Sequence, residues 1–206
     1  MAAARTRTAG RSKLTQAGLV VLACSTVIAA AGCDSTLAGL NGNAGAGISG
    51  AVQVLPGEAG TTTVWIANNS GSRVIFRSAR LMRLPGYRLP RFAGVWLEPT
   101  PKIVGVGRGT PPRSTSEGRV VKYYGIPVTR FAGFVLQPGQ TTRVLYGMVA
   151  ERLGHYAARG IVVTVSAARG QTATVDALGA GAICVVKSLK NTCASFTSAF
   201  PASAWR

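Results

Sequence analysis

The chain is poor in the side chains that enzymes use for acid, base and nucleophilic chemistry. Its 206 residues include one histidine, His155, six acidic residues and four cysteines. A hydrolase would need His155 as a general base beside a nucleophile and an orienting acid, and no Gly-x-Ser-x-Gly motif supplies that nucleophile. We therefore expect a non-enzymatic protein in which His155 lies in a turn, with an extracellular hydrolase that uses His155 as an alternative.

Nucleotide and metal sites are not expected either. The segment Gly105-Val106-Gly107-Arg108-Gly109 has the glycine content of a phosphate-binding loop. Thr110-Pro111-Pro112 follows it, however, where a helix N-terminus would have to receive the phosphate. No cluster of histidine, cysteine and acidic residues has the spacing of metal ligands along the sequence. The sequence therefore predicts no metal and no cofactor.

The strongest chemical signal is an excess of basic residues. Lys and Arg number 23 against six Asp and Glu, which gives a formal net charge of +17. Twelve of the basic residues lie between Arg73 and Arg130, where only Glu98 and Glu117 oppose them. Guanidinium groups among aromatic rings suit phosphate, carboxylate and sugar ligands. We predict an anion-binding face formed by Arg73, Arg77, Arg80, Arg83, Arg88, Arg91, Lys122 and Arg130.

The same composition has a simpler interpretation, in which the aromatic residues belong to the core and the arginines are merely solvated. Nucleic acid is the usual partner of a chain with this much positive charge. The N-terminal sequence indicates export from the cell, so nucleic acid is not expected as the partner.

The first 33 residues are typical of an exported protein. Basic residues from Arg5 to Lys13 precede a short apolar run and several small residues, which is the layout of a secretory signal peptide. The segment Ala30-Ala31-Gly32-Cys33 resembles the lipobox of bacterial lipoproteins. This resemblance implies lipidation of Cys33 and anchoring to the outer face of the cytoplasmic membrane. Ordinary cleavage after Ala31 and an uncleaved anchor, for which the apolar run is short, are the alternatives.

The other cysteines are consistent with export. Cys24 falls inside the predicted signal peptide, and lipidation would use Cys33. Cys184 and Cys193 then remain as one pair in an oxidising compartment, where we predict a disulfide between them. They lack the two-residue spacing of redox motifs, so a structural role is favoured.

Beyond residue 50, apolar residues come in short β-branched runs separated by Pro and Gly, which is typical of many short strands. We predict an all-β fold, an immunoglobulin-like antiparallel β-sandwich. Pro56-Gly57 and Pro138-Gly139 each precede an alternating strand and predict the same turn. The predicted strands are 51–55, 61–67, 73–83, 94–97, 102–106, 119–123, 133–136, 141–150, 160–168, 172–177 and 182–187.

Gly154-His155-Tyr156, placed before a valine-rich run, resembles the tyrosine corner of immunoglobulin-like domains. The resemblance implies that the Tyr156 hydroxyl bonds to the backbone at the corner. There is no Cys-Trp-Cys spacing, so antibody topology is not implied. The predicted organisation is a signal peptide at 1–32, a lipid-anchored flexible linker at 33–50 and the sandwich at 51–206.

Together these features predict a non-enzymatic cell-envelope lipoprotein whose basic sandwich faces an anionic partner, namely lipid headgroups, a wall polymer or an acidic protein. One alternative is an accessory or assembly subunit that docks a membrane protein complex, with the charge incidental. Salt separates these two, because it weakens exposed charge contacts and leaves apolar docking intact.

Overall fold

The computed structural model describes residues 39–42, 50–98, 107–109, 121–123, 126–167, 170–190 and 193. All of them belong to the unit Ser35–Arg206. Among these residues there is no helix that is long and apolar enough to cross a membrane. The predicted signal peptide, Cys33 and the predicted strand 102–106 lie outside the described residues.

The described part of the chain consists of strands and connections. In chain order the strands are β1 (Leu40–Asn41), β2 (Gly50–Val54), β3 (Ala59–Asn68), β4 (Val74–Arg83), β5 (Arg91–Glu98), β6 (Gly107–Arg108), β7 (Val121–Tyr123), β8 (Ile126–Arg130), β9 (Val135–Leu136), β10 (Thr141–Val149), β11 (Gly154–Ala167) and β12 (Thr172–Val185).

The strands form two sheets that share one core. Sheet 1 has the order β1-β3-β10-β5-β8-β7, with β6 also beside β3, and sheet 2 has the order β2-β12-β11-β4-β9. The neighbours β1-β3-β10-β5 and β12-β11-β4 follow the A-B-E-D and G-F-C orders of immunoglobulin-like sandwiches. Strand β2 runs parallel to β12, and the other strand pairs are antiparallel. The predicted immunoglobulin-like sandwich is confirmed.

The two Pro-Gly turns start neighbouring strands of sheet 1. Gly57 and Gly139 have φ angles of 77° and 75°, which glycine adopts without a steric penalty. Each turn is closed by a backbone hydrogen bond, from Glu58 to Leu55 at 3.0 Å and from Gln140 to Gln137 at 3.1 Å. The turns therefore have the same construction, as predicted, and lead into β3 and β10, which pair with each other.

The two sheets approach closely where β12 has no bulky side chains. A Cβ atom on Gly179 would lie 2.5 Å from Val64 Cγ1, and one on Gly181 would lie 2.5 Å from Thr62 Cγ2. The buried Tyr146 hydroxyl donates a hydrogen bond to the Gly179 carbonyl at 2.5 Å, and burial raises the pKa of this phenol. The predicted strands 172–177 and 182–187 belong to one strand, β12. Its glycines leave space for side chains of β3.

Two further elements differ from the sequence prediction. Strand β8 was not expected because it contains Pro127, which cannot donate a backbone hydrogen bond. Strand β11 starts at Gly154 rather than at residue 160, since a register shift between Ala158 and Gly160 lets pairing continue across Arg159. Such bulges insert one residue without ending the strand.

Part of the predicted flexible linker is also paired. Leu40 and Asn41 form β1 against Asn68 and Ala67 of β3. Leu40 packs against the main core, so burial of this apolar side chain fixes a segment whose sequence shows no periodicity. The pairing also places β1 at the end of the sandwich where β3 ends.

Candidate anion-binding surface

Strand β4 carries three of the predicted arginines. Arg77, Arg80 and Arg83 are exposed and occur at every third residue, so neighbours are separated by about 10 Å at roughly 3.3 Å per residue. Arg80 lies opposite Val162, and Arg77 Nε donates to Ser166 Oγ at 2.7 Å. These contacts place Arg77 and Arg80 on the outer face of sheet 2.

The edge position of β4 gives these arginines a structural use as well. On the side away from β11, the described strand β9 pairs only with Val74 and Ile75. Phe76 also exchanges backbone hydrogen bonds with Gly133 and Phe134, so β4 is an edge from Arg77 onward in the described part of the fold. Charged side chains on an edge oppose pairing between molecules, so Arg77, Arg80 and Arg83 protect this edge whether or not they bind a ligand.

Two more arginines extend the group along β11. Arg159 occupies the bulge between the Ala158–Arg83 and Gly160–Met82 pairs, so it lies beside Arg83. The Arg88 carbonyl accepts a hydrogen bond from the Ala157 amide at 3.1 Å. We call Arg77, Arg80, Arg83, Arg88 and Arg159 the arginine surface. Arg159 was missed because its proximity depends on how β4 and β11 pair, which no local sequence signal reveals.

The remaining predicted residues are distributed over both sheets. Arg91 begins β5 and Arg130 ends β8, both in sheet 1, and Arg73 precedes β4. Lys122 belongs to β7, and its side chain lies outside the description. The residues predicted for one face between 73 and 130 therefore belong to both sheets, because the chain crosses from sheet 2 to sheet 1 between β4 and β5.

The described glutamates are used by sheet 1. Glu58 pairs with Arg108, Glu98 pairs with Arg143, and Glu151 pairs with Arg91 at 3.0 Å. Asp176 is the other acid among the described residues and is exposed on β12. Within the described ranges, no member of the arginine surface has a carboxylate at ion-pair distance.

The Glu98–Arg143 pair is wholly buried, with both side chains at 0% exposure. Arg143 Nε donates to Glu98 Oε2 at 2.6 Å, and its guanidinium carbon lies 5.4 Å from the centre of the Trp65 ring. This arginine is a structural residue, since its charge is already matched by a carboxylate and an aromatic face.

Tyr156 of the predicted tyrosine corner and the two cysteines of the predicted disulfide lie at one end of sheet 2. The Tyr156 hydroxyl donates to the Arg152 carbonyl at 3.0 Å, which is the contact a tyrosine corner makes. Cys184 and Cys193 are bonded to each other, which confirms the predicted disulfide. His155 is in β11 rather than in a turn, and its Nε2 lies 3.5 Å from Cys193 Sγ.

Comparisons with known proteins identify no family for this chain. No protein-family model and no curated protein matches the sequence. Among solved structures, PapD-like domain 7 of human CEP192 is similar at 12% identity over 68% of this chain and 83% of that chain, with a TM-score of 0.31. The Vibrio cholerae VesB protease is 12% identical over 66% of this chain and 30% of its own, with a TM-score of 0.30.

A family 123 glycoside hydrolase from Clostridium perfringens is 8% identical over 69% of this chain, with a TM-score of 0.31. This chain covers 24% of the hydrolase. The chain thus spans less than a third of either enzyme, and neither carries an argument about function.

Proposed function

We propose that the protein is a non-enzymatic lipoprotein of the bacterial cell envelope that binds an anionic partner through its arginine surface. The observation that carries the proposal is the distribution of carboxylates. The three described glutamates pair with arginines of sheet 1, and no described acid pairs with the arginine surface. The guanidinium groups of this surface therefore keep their capacity to bind phosphate or carboxylate.

The shape of the surface favours an extended ligand. Arg77 and Arg80 lie on the outer face of sheet 2, and Arg83, opposite the core residue Ala158, ends the strand about 20 Å from Arg77. Charges spread over this length suit a polymer with repeated negative charges better than a compact ligand. A small molecule would be expected in a concave site that encloses it. A phosphate-bearing wall polymer and a row of lipid headgroups both have repeated charges.

The direction of the tether favours the wall polymer. Strand β1 lies where β3 ends, and Arg83 lies at the opposite end of the sandwich, where β11 begins. Leu40 is seven positions after Cys33, a separation that spans at most about 25 Å. A lipid on Cys33 would hold the β1 end near the membrane, with Arg83 and Arg88 directed away from it.

The experiment is a binding series with the chain from Ser35 onward, which includes β1. Binding to purified phosphate-bearing wall polymer, anionic vesicles and neutral vesicles is measured across a range of salt concentrations. We expect polymer binding that weakens steeply with salt, and the combined Arg77→Glu, Arg80→Glu and Arg83→Glu variant should lose at least tenfold in affinity. Circular dichroism and the intact disulfide serve as folding controls.

A matched control separates the surface from net charge. Reversal of Arg130, Lys187 and Lys190 to Glu changes the charge equally at exposed positions outside the arginine surface. This control should bind nearly as well as the wild type. Equal loss in both triple variants, or no binding by the wild type at low salt, would overturn the proposal. Stronger binding to anionic vesicles would replace the polymer with headgroups.

One observation favours docking to a protein as a second function. Leu89, Leu153 and Leu189 are 45%, 43% and 41% exposed, and they lie in connections at the end of the sandwich where β11 begins. Exposed apolar residues grouped in this way mark interaction sites. Capture of a membrane protein that persists in high salt and is lost on replacing Leu89 and Leu153 with Ser would support docking over anion binding.

A further inference from the structure

Three potential metal ligands meet on the outer face of sheet 2. His155 and Cys184 are directly opposed in the β11–β12 pair, and the adjacent Ile183 and Val185 belong to the core. Cys184 therefore faces outward beside His155. The imidazole nitrogen and the two sulfur atoms of Cys184 and Cys193 all lie within 4.8 Å of one another.

The distance from His155 to Cys193 matches a tetrahedral site. Metal–sulfur bonds of about 2.3 Å and metal–nitrogen bonds of about 2.05 Å place sulfur and nitrogen about 3.5 Å apart. The distance from Cys193 Sγ to His155 Nε2 is 3.5 Å. Two metal-bound sulfurs would be about 3.8 Å apart, so the disulfide must be reduced before a metal can bind. Cys193 lies beyond β12, which lets the sulfurs separate without moving the sheet.

We propose that the reduced chain binds one thiophilic cation, Zn²⁺ or Cu⁺, through Cys184 Sγ, Cys193 Sγ and His155 Nε2. A dithiol reductant transfers two electrons and two protons to the disulfide and becomes a disulfide itself. Each cysteine thiol then releases one proton to solvent as its sulfur binds the metal, and the neutral imidazole donates a lone pair. A disulfide oxidant reverses this step: it accepts two electrons from the two thiolates and two protons from solvent and becomes two thiols, the Cys184–Cys193 bond re-forms, and the cation is released. The redox state of the pair therefore sets metal occupancy.

The surroundings leave room for a fourth ligand. An open groove of about 470 Å³ borders the cluster and is lined by Gly86, Tyr87, Arg88, Leu153, Gly154 and His155. Of the three ligands, His155 lines this groove, so a fourth ligand such as water or a small anion would approach from the His155 side. Two thiolates cancel the charge of a divalent cation, so the nearby Arg88 does not oppose the bound state. Three protein ligands with one open position differs from closed structural zinc sites, which have four protein ligands.

The test uses the full chain in detergent with Cys24→Ser and Cys33→Ser, so that Cys184 and Cys193 are the only cysteines present. The protein is reduced with a phosphine and titrated with Co²⁺ as a spectroscopic probe. We expect one equivalent to produce thiolate-to-cobalt charge transfer and tetrahedral visible bands, and Zn²⁺ should displace it. The oxidised protein should show no such bands, and Mg²⁺ should not compete.

Variants identify the ligands. His155→Ala should weaken Co²⁺ binding at least tenfold, and Cys193→Ser should abolish the charge-transfer band. Ser188→Ala, between the two cysteines, should bind as the parent does. Undiminished binding by His155→Ala, equal binding by the oxidised protein, or loss of the β-sheet circular dichroism spectrum on reduction would each overturn the proposal.

Discussion

Three arginines of sheet 1, Arg91, Arg108 and Arg143, have carboxylate partners, whereas those of the arginine surface on sheet 2 have none among the described residues. The sheet 1 pairs differ in burial, from Arg143 and Glu98 at 0% exposure, through Arg108 at 38%, to Arg91 at 70%. A buried charge needs an opposite charge beside it, because an isolated charge is costly to bury. An exposed ion pair contributes little to stability. The total charge of the chain therefore does not identify the arginines that are already paired, whereas the location of its few carboxylates does.

The largest expected effect is on the buried pair. Glu98→Gln should lower the free energy of unfolding by about 3 to 5 kcal/mol, because it leaves Arg143 charged, buried and without its carboxylate. Urea denaturation measures this change. Replacing both residues with apolar side chains of similar volume should recover most of the loss. A cost below about 1 kcal/mol for Glu98→Gln would contradict the account of sheet 1.

Tyr146 tests the contact between the sheets. Tyr146→Phe removes the hydrogen bond to the Gly179 carbonyl and should cost about 1 to 3 kcal/mol. Burial raises the pKa of Tyr146, so the folded state holds a proton that the unfolded state releases near pH 10. The stability that the neutral Tyr146 phenol contributes is intact below pH 10 and declines as pH rises further. Tyr146→Phe should therefore flatten the alkaline loss of stability, and an unchanged slope would argue against burial of the phenol.

The exposed ion pair between Arg91 and Glu151 should contribute less to stability than the buried pair. Glu151→Ala should cost less than about 1 kcal/mol, because Arg91 and Glu151 remain largely hydrated and salt screens their attraction. Unfolding measured at low and high salt should show this small difference shrinking. A cost similar to that of Glu98→Gln would remove the distinction between buried and exposed pairs.

The smallest effect on stability is expected at the arginine surface. Replacing Arg77, Arg80 and Arg83 together with Gln should change stability by about 0.5 kcal/mol or less at each site, as is usual for exposed positions. Binding to the anionic polymer should nevertheless fall at least tenfold. A loss of more than about 2 kcal/mol would instead identify these arginines as structural residues.

Local sequence signals predicted much of the fold. The Pro-Gly turns, the alternating strands that follow them and the disulfide each depend on residues close together in the chain. Strand β8 was missed because Pro127 is unusual inside a strand, and residues 178–181 were read as a break because their glycines look like turn residues.

The candidate sites depended on pairing between distant segments. Arg159 joins Arg83 only through the register of β11 against β4, and His155 meets Cys184 only through the register of β11 against β12. The crossing from β4 to β5 likewise separated Arg80 from Arg91. Residue types and spacing do not encode register across such distances, so the metal ligands could not be grouped from the sequence.

The most direct test of the central claim is arginine footprinting with a dicarbonyl reagent, in the presence and absence of the wall polymer. Modification at each arginine is read by peptide mass spectrometry. The account predicts that the polymer protects Arg77, Arg80, Arg83 and Arg159 and leaves Arg91, on sheet 1, as reactive as before. Protection of Arg91 with no protection of the β4 arginines would contradict it.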